Sequence, residues 1–99
     1  MSSLYISWVT SSTTIDLGYN TFFVDATSGN ILITIPENPG EGTNFMISRT
    51  DSSANTVTII STDGDINGLS TPVSLNLGQN VLLGSSNGHW HTVLGTFVQ

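Results

Sequence analysis

Between Asn44 and Gly68 the chain reads NFMISRTDSSANTVTIISTDGDING, and its apolar side chains fall on alternate positions. A period of two sends successive side chains to opposite faces of an extended backbone, a pattern that a helix of 3.6 residues per turn does not produce. Residues 45–49 and 57–61 therefore read as half-buried strands. Phe45, Ile47 and Arg49 share one face of the first, and Val57 and Ile59 share one face of the second. The polar run 51–55 between them predicts a hairpin turn. Arg49 is the one basic side chain of the sequence, and the stretch runs into the densest acidic turn, Asp63-Gly64-Asp65.

The same rhythm extends along the chain. Residues 4–9 (LYISWV) predict a strand with Leu4, Ile6 and Trp8 on one face, and the Ser/Thr run 10–14 reads as flexible or extended. Residues 17–20 form a turn. In the strand 21–25, Phe22 and Val24 face one way, and Phe23 and Asp25 the other. Ser28-Gly29-Asn30 has hairpin chemistry. Ile31, Ile33 and Ile35 alternate up to Pro36, which has no N–H for a ladder. The loop 37–42 is broken by Pro39, Gly40 and Gly42. Asn67-Gly68 is a turn, Val73, Leu75 and Leu77 alternate, and 78–80 reverses the chain. Asn87-Gly88 is the strongest two-residue hairpin signal; 89–92 pairs back from it, and 93–98 predicts the last strand.

Turn signals about every eight to twelve residues, with no helical window, predict an all-β fold. The expected architecture is a single small antiparallel β-sandwich or barrel-like knob of about eight short strands. Residues 1–14 read as an N-terminal arm or first strand, and 15–99 as the domain.

Ninety-nine residues make one domain. Such a chain buries about two-thirds of its unfolded surface, so an oligomer would add useful core. There is no cysteine to supply a disulfide or a thiolate ligand. One Arg, no Lys and seven carboxylates give a formal charge of −6. That balance lacks the basic footprint that nucleic acid requires, and an anionic membrane would repel it. Residues 1–10 lack the basic start and apolar run of a signal peptide, and no stretch approaches the ~20 apolar residues of a membrane span.

Asp63, Asp65 and Asn67 match the first half of a calcium loop, but its closing glutamate position is Ser74, and a turn-forming acidic loop is the simpler reading. His89 and His91 share a strand face at a metal-ligand spacing, yet no third ligand is near in sequence. No metal and no cofactor is therefore expected. Arg49 and Asp51 share parity, which suggests either a surface ion pair or an interface role for Arg49. Trp8 is a second interface candidate. Trp8, Tyr5, Tyr19 and Trp90 could stack on sugars, although three of the four fall in strands or at strand ends, where core or interface burial is the default. No nucleophile elbow, triad setting, P-loop or dinucleotide fingerprint occurs, and the pairs Glu37 with Glu41 and Asp63 with Asp65 lie in loops. The chain is not expected to be an enzyme.

From residue 22 onward, the order of motifs resembles a β-module of bacteriophage and other DNA-virus fibre, tail-needle and head-fibre proteins. The motifs are an apolar strand ending in Asp and a Ser-Gly turn (22–30), and ILITIP (31–36). A Gly-rich loop follows, then Phe45-Met46-Ile47, Asn55-Thr56-Val57-Thr58-Ile59 and Ile66-Asn67-Gly68. A Leu-rich strand (75–77) and Asn87-Gly88-His89-Trp90 close the series. Two departures are a missing shaft and an absence of lysine in the central strands. The resemblance implies a virion-borne knob, a homotrimer, that binds a host-surface receptor, a glycan or another virion protein. Its loops would supply the contacts. The candidate binding residues are Tyr19, Glu37, Asn38, Glu41, Asp51, Asn55, Asp63, Asp65, Asn67 and Trp90. A stand-alone carbohydrate-binding module is the alternative.

Overall fold

The computed structural model describes residues 4–37 and 40–99; Asn38 falls outside them. The described residues form nine strands and no helix. These are β1 (Ile6–Val9), β2 (Thr13–Thr14), β3 (Thr21–Val24), β4 (Ile31–Ile35), β5 (Asn44–Arg49), β6 (Val57–Ser61), β7 (Val73–Ser74), β8 (Asn80–Ser86) and β9 (His89–Thr96). They build a two-layer sandwich. One sheet has the order β1-β3-β5-β8-β9, and the other β2-β4-β6-β7.

The first six strands alternate between the layers. From β3 to β6 each pairs in parallel with the strand two before it, so β1–β2, β3–β4 and β5–β6 wind as three successive coils. Only from β7 onward does the chain pair antiparallel. The sandwich is thus mixed rather than antiparallel. The expected hairpin of 45–49 with 57–61 does not form, because β5 and β6 lie in opposite sheets. As a hairpin, Phe45, Ile47, Val57 and Ile59 would all line one face of one sheet. Sent to facing sheets, the two rows interdigitate and bury each other. The turn at 28–30 likewise carries the chain from β3 across to β4, not back beside it.

Inward positions of both sheets form one core. Val24, Ile33, Ile35, Ile47, Ile59, Val73, Val81, Leu83 and Trp90 are wholly excluded from solvent. Phe22, Phe45 and Trp90 meet edge to face, with centroids 5.7 and 5.0 Å apart, the geometry that ring quadrupoles favour. The Trp90 indole N–H donates to the Pro36 carbonyl at 2.7 Å, so its polar tip is satisfied inside the core. Trp90 is therefore a packing residue. A fully buried ring offers no platform to a sugar, which corrects its reading as a binding residue.

Both Asn-Gly turns form as the sequence predicts. Asn87 and Gly88 have φ of 55° and 75°, the pair of positive values that a tight turn of this kind requires. Asn67 and Gly68, at 60° and 73°, close a miniature hairpin in which Ile66 and Leu69 exchange backbone hydrogen bonds of 3.0 Å. One irregularity lies in β9. The register slips between Leu82 and Leu83, leaving Val93 as an extra residue, and Gly95 follows at φ 128°.

The outer faces of the two sheets differ. That of the four-stranded sheet is rich in hydroxyls, with Thr14, Thr34, Thr58 and Ser74 beside Leu32 and Ile60. That of the five-stranded sheet carries an apolar row, Ile6, Met46, Leu82 and Leu94, with Trp8 and Phe23 beside it, among the polar Thr21, Asn44, Ser48, Asn80, Ser86, His89, His91 and Thr96.

Candidate functional site

Alternate winding gathers the loops at two ends of the sandwich. At one end β4 and β6 finish, β3 and β5 begin, and the β8–β9 turn reverses. The described residues of the loop 36–43 and the loop 62–72 lie there beside Asn87-Gly88. Of the seven carboxylates, Asp16, Glu37, Glu41, Asp63 and Asp65 belong to loops at this end. The opposite end holds Asp25 and Asp51, and Asp51 is neutralised by Arg49. The chain's negative charge is therefore concentrated at one pole.

Hydrogen bonds fix this acidic pole. Glu41 accepts from the Asn87 N–H and the Ser86 hydroxyl, both at 2.9 Å. These two bonds, the backbone one first, hold its carboxyl below the usual range. Gly42 N–H donates to the Ser85 carbonyl at 3.0 Å, and the Ser85 hydroxyl donates to the Gly40 carbonyl. Asn67 links the second loop to β9. Its amide donates to Thr92 Oγ1 (2.8 Å) and Gln99 Oε1 (2.9 Å), and its Oδ1 accepts the Thr92 N–H (2.9 Å).

Asn67 thus spends its side-chain oxygen within the chain, where a calcium loop would need it as a ligand. Asp63 is exposed. Asp65 places Oδ1 3.8 Å from His89 Nδ1, and that oxygen has no hydrogen-bond partner among the described residues. His89 and His91 project outward on either side of Trp90. Among the described residues, no group of three His, Cys, Asp or Glu side chains comes together as a metal site.

The other pole is organised by Arg49. Its inward parity was legible, but it is 6% exposed and does not form a surface pair. Nε and Nη2 grip the two oxygens of Asp51 at 3.1 Å each, a bidentate fork. Nη1 donates to the Leu75 carbonyl at 2.9 Å, and Nη2 donates to Ser53 at 3.1 Å and Asn55 at 2.5 Å. Asp51 also accepts from the N–H groups of Ala26 and Ser53, both at 3.0 Å, and from the Ser53 hydroxyl at 2.6 Å. The Asn55 side-chain amide donates to the Ala26 carbonyl at 2.7 Å. One guanidinium thereby ties together three connections that would otherwise bury loose carbonyls. The loop 51–55, expected to contact a partner, is a latch: the Asp51 side chain is 1% exposed and its oxygens are occupied.

Of the aromatic candidates, Tyr19 is 42% and Trp8 62% exposed. The site residues therefore divide. Glu37, Glu41, Asp63, Asp65 and Asn67 share the acidic pole, Arg49, Asp51 and Asn55 form the latch, and Trp90 is core. Sequence reasoning missed the apolar part of the outer face of the five-stranded sheet. Its signal was present in the doubled apolar pairs Phe22-Phe23, Leu82-Leu83 and Val93-Leu94, since neighbours on a strand face opposite ways. A scan against protein-family models and a search of the curated proteins find no match to this chain.

Proposed function

We propose that the chain is a non-enzymatic structural and attachment module of a virion. It assembles as a homotrimer and contacts a host surface or another virion protein through its acidic pole. The observation that supports this reading is the meeting of two loops and a hairpin turn at one end of a rigid sandwich, with four carboxylates among them and Asp16 on a third loop at the same end. Binding residues concentrate on loops held by a stiff scaffold, and a one-signed pole steers encounter with a partner of opposite sign. The partner surface is accordingly basic. A glycan-binding reading is weaker, because Trp90 is core.

Fluorescently labelled protein titrated onto a panel of bacterial and eukaryotic cells tests the proposal. We expect saturable binding to at least one cell type that weakens with added salt. Replacing Glu37, Asp63 and Asp65 by their amides should weaken it about tenfold, on the scale of a few rim charges. Failure to bind any cell on the panel would count against attachment. Undiminished binding by the triple amide would instead remove the acidic pole from it.

A further inference from the structure

We infer that the outer face of the five-stranded sheet is where a further copy of this chain docks. The pairing register aligns Ile6, Thr21, Met46, Leu82 and Leu94 in a row across all five strands. The neighbouring row begins with Trp8 and Phe23, whose rings lie 5.1 Å apart, and continues through the polar Ser48, Asn80 and Thr96. Ile6, Trp8 and Leu94 are 44, 62 and 59% exposed. Leu4 extends the face at β1, and Val93 extends it at β9, where it lies over Gly84.

Size and charge identify the occupant. Five strands about 4.8 Å apart and about five residues long give a face of about 400 Å² in plan. The face also holds Asn44, Ser48, Asn80, Ser86, His89, His91 and Thr96, so its apolar part comes only near the lower end of the about 300–600 Å² of the largest apolar patch on typical monomers, a patch that is often functional. The whole face is about half of the ~800 Å² that one partner brings to a standard interface, before side-chain relief and the flanking residues are counted. No carboxylate projects from it: all seven lie in the loops, and Arg49 points into the core. Two copies carrying −6 each repel wherever their carboxylates meet. This face carries an apolar row and is a surface on which they do not. A basic partner would be drawn to the acidic pole, and the hydroxyl-rich outer face of the other sheet has less to gain from losing water.

The inference rests on the oligomeric part of the reading above and not on attachment. Light scattering behind a sizing column tests it at micromolar concentration. The full chain should run at a multiple of 10.5 kDa. Leu94→Glu and Trp8→Ser alter exposed side chains, so each should keep the fold, checked by circular dichroism, yet dissociate, with affinity lower by about 30-fold or more. Leu32→Glu makes a similar change on the outer face of the four-stranded sheet and should leave the mass unchanged. Because Trp90 stays buried, a red shift of tryptophan emission on dilution would report Trp8 entering water. A wild-type monomer overturns the inference. So does a multimer that survives both face substitutions, or one that Leu32→Glu alone dissolves. A multimer that binds no cell leaves this inference standing and removes attachment, whereas a monomer that binds cells does the reverse.

Discussion

Arg49→Ala is expected to lose about 3–5 kcal/mol of stability, the usual cost of removing one partner from a buried ion pair. Small domains have only about 5–15 kcal/mol in total, so the variant should be barely folded at room temperature. The loss has two sources. Asp51 would be left charged at 1% side-chain exposure, and the carbonyls of Leu75, Ser53 and Asn55 would lose the donor that reaches them. Arg49→Lys should fall between, because an ammonium keeps the charge without the planar fork. Urea denaturation at neutral pH measures this. A loss below about 1 kcal/mol, the scale of an exposed pair, would contradict the latch.

The same pair sets the sign of the acid response. The guanidinium of Arg49 holds the Asp51 carboxyl far below its ordinary value of 3.8, while burial opposes the shift. A carboxyl depressed in the folded state stabilises fully above its unfolded value and loses that contribution as pH falls through the folded one. Wild-type protein should therefore show no loss from this pair near neutrality and should lose stability progressively below about pH 4. Glu41 shifts in the same direction but is fully exposed, so it is not a comparable source of stability.

Gly95→Ala should be the second severe change, at about 3 kcal/mol or more. At φ 128° a side chain is strained, and a Cβ there would sit 2.3 Å from the Asn80 carbonyl oxygen and 2.9 Å from Val81 Cα. Both obstacles are backbone atoms of the paired strand, so no rotamer change relieves them. Gly88→Ala is the control. Its φ of 75° is also positive, but nothing lies within 4 Å, leaving only the left-handed cost of about 1–2 kcal/mol. Thermal denaturation should place Gly95→Ala roughly 10 °C or more below wild type, with Gly88→Ala clearly nearer to it. Equal losses would mean that the close approach to Asn80 does not matter.

These two positions also mark how far the sequence could be read. Alternation at Ile31, Ile33 and Ile35, and at Phe45, Ile47 and Arg49, correctly placed strands and their inward faces. Asn67-Gly68 and Asn87-Gly88 announced their turns through backbone preference. Pairing was not legible, because a period of two names the buried face of a strand and not its neighbour. Residues 50–56 suit a hairpin and a crossing between sheets equally well. The acidic pole was legible only as separate loops, and the winding joins them. Arg49 read as a surface or interface charge because the Leu75 carbonyl, 26 residues away, is brought to it by topology and not by spacing. Gly95 resembled any glycine near a strand end until Asn80 was beside it.

The alternating coils also govern the order of events in time. No strand from β1 to β5 has a pairing partner next to it in sequence, so each coil must close a long loop before any contact rewards it. The long local partnership is β8 with β9 across a two-residue turn. We expect that hairpin to nucleate folding, with β5 docking on β8, then β3, and β1 last. During synthesis the earlier strands would wait, unpartnered, for the C-terminal hairpin, and refolding should take milliseconds to seconds, as for other β-folds dominated by distant contacts. Stopped-flow kinetics would show it: Leu83→Ala in β8 should slow refolding, whereas Val9→Ala in β1 should mainly speed unfolding. The reverse pattern would mean that the coils assemble first. On this order, β1 is made before the other strands and folds after them.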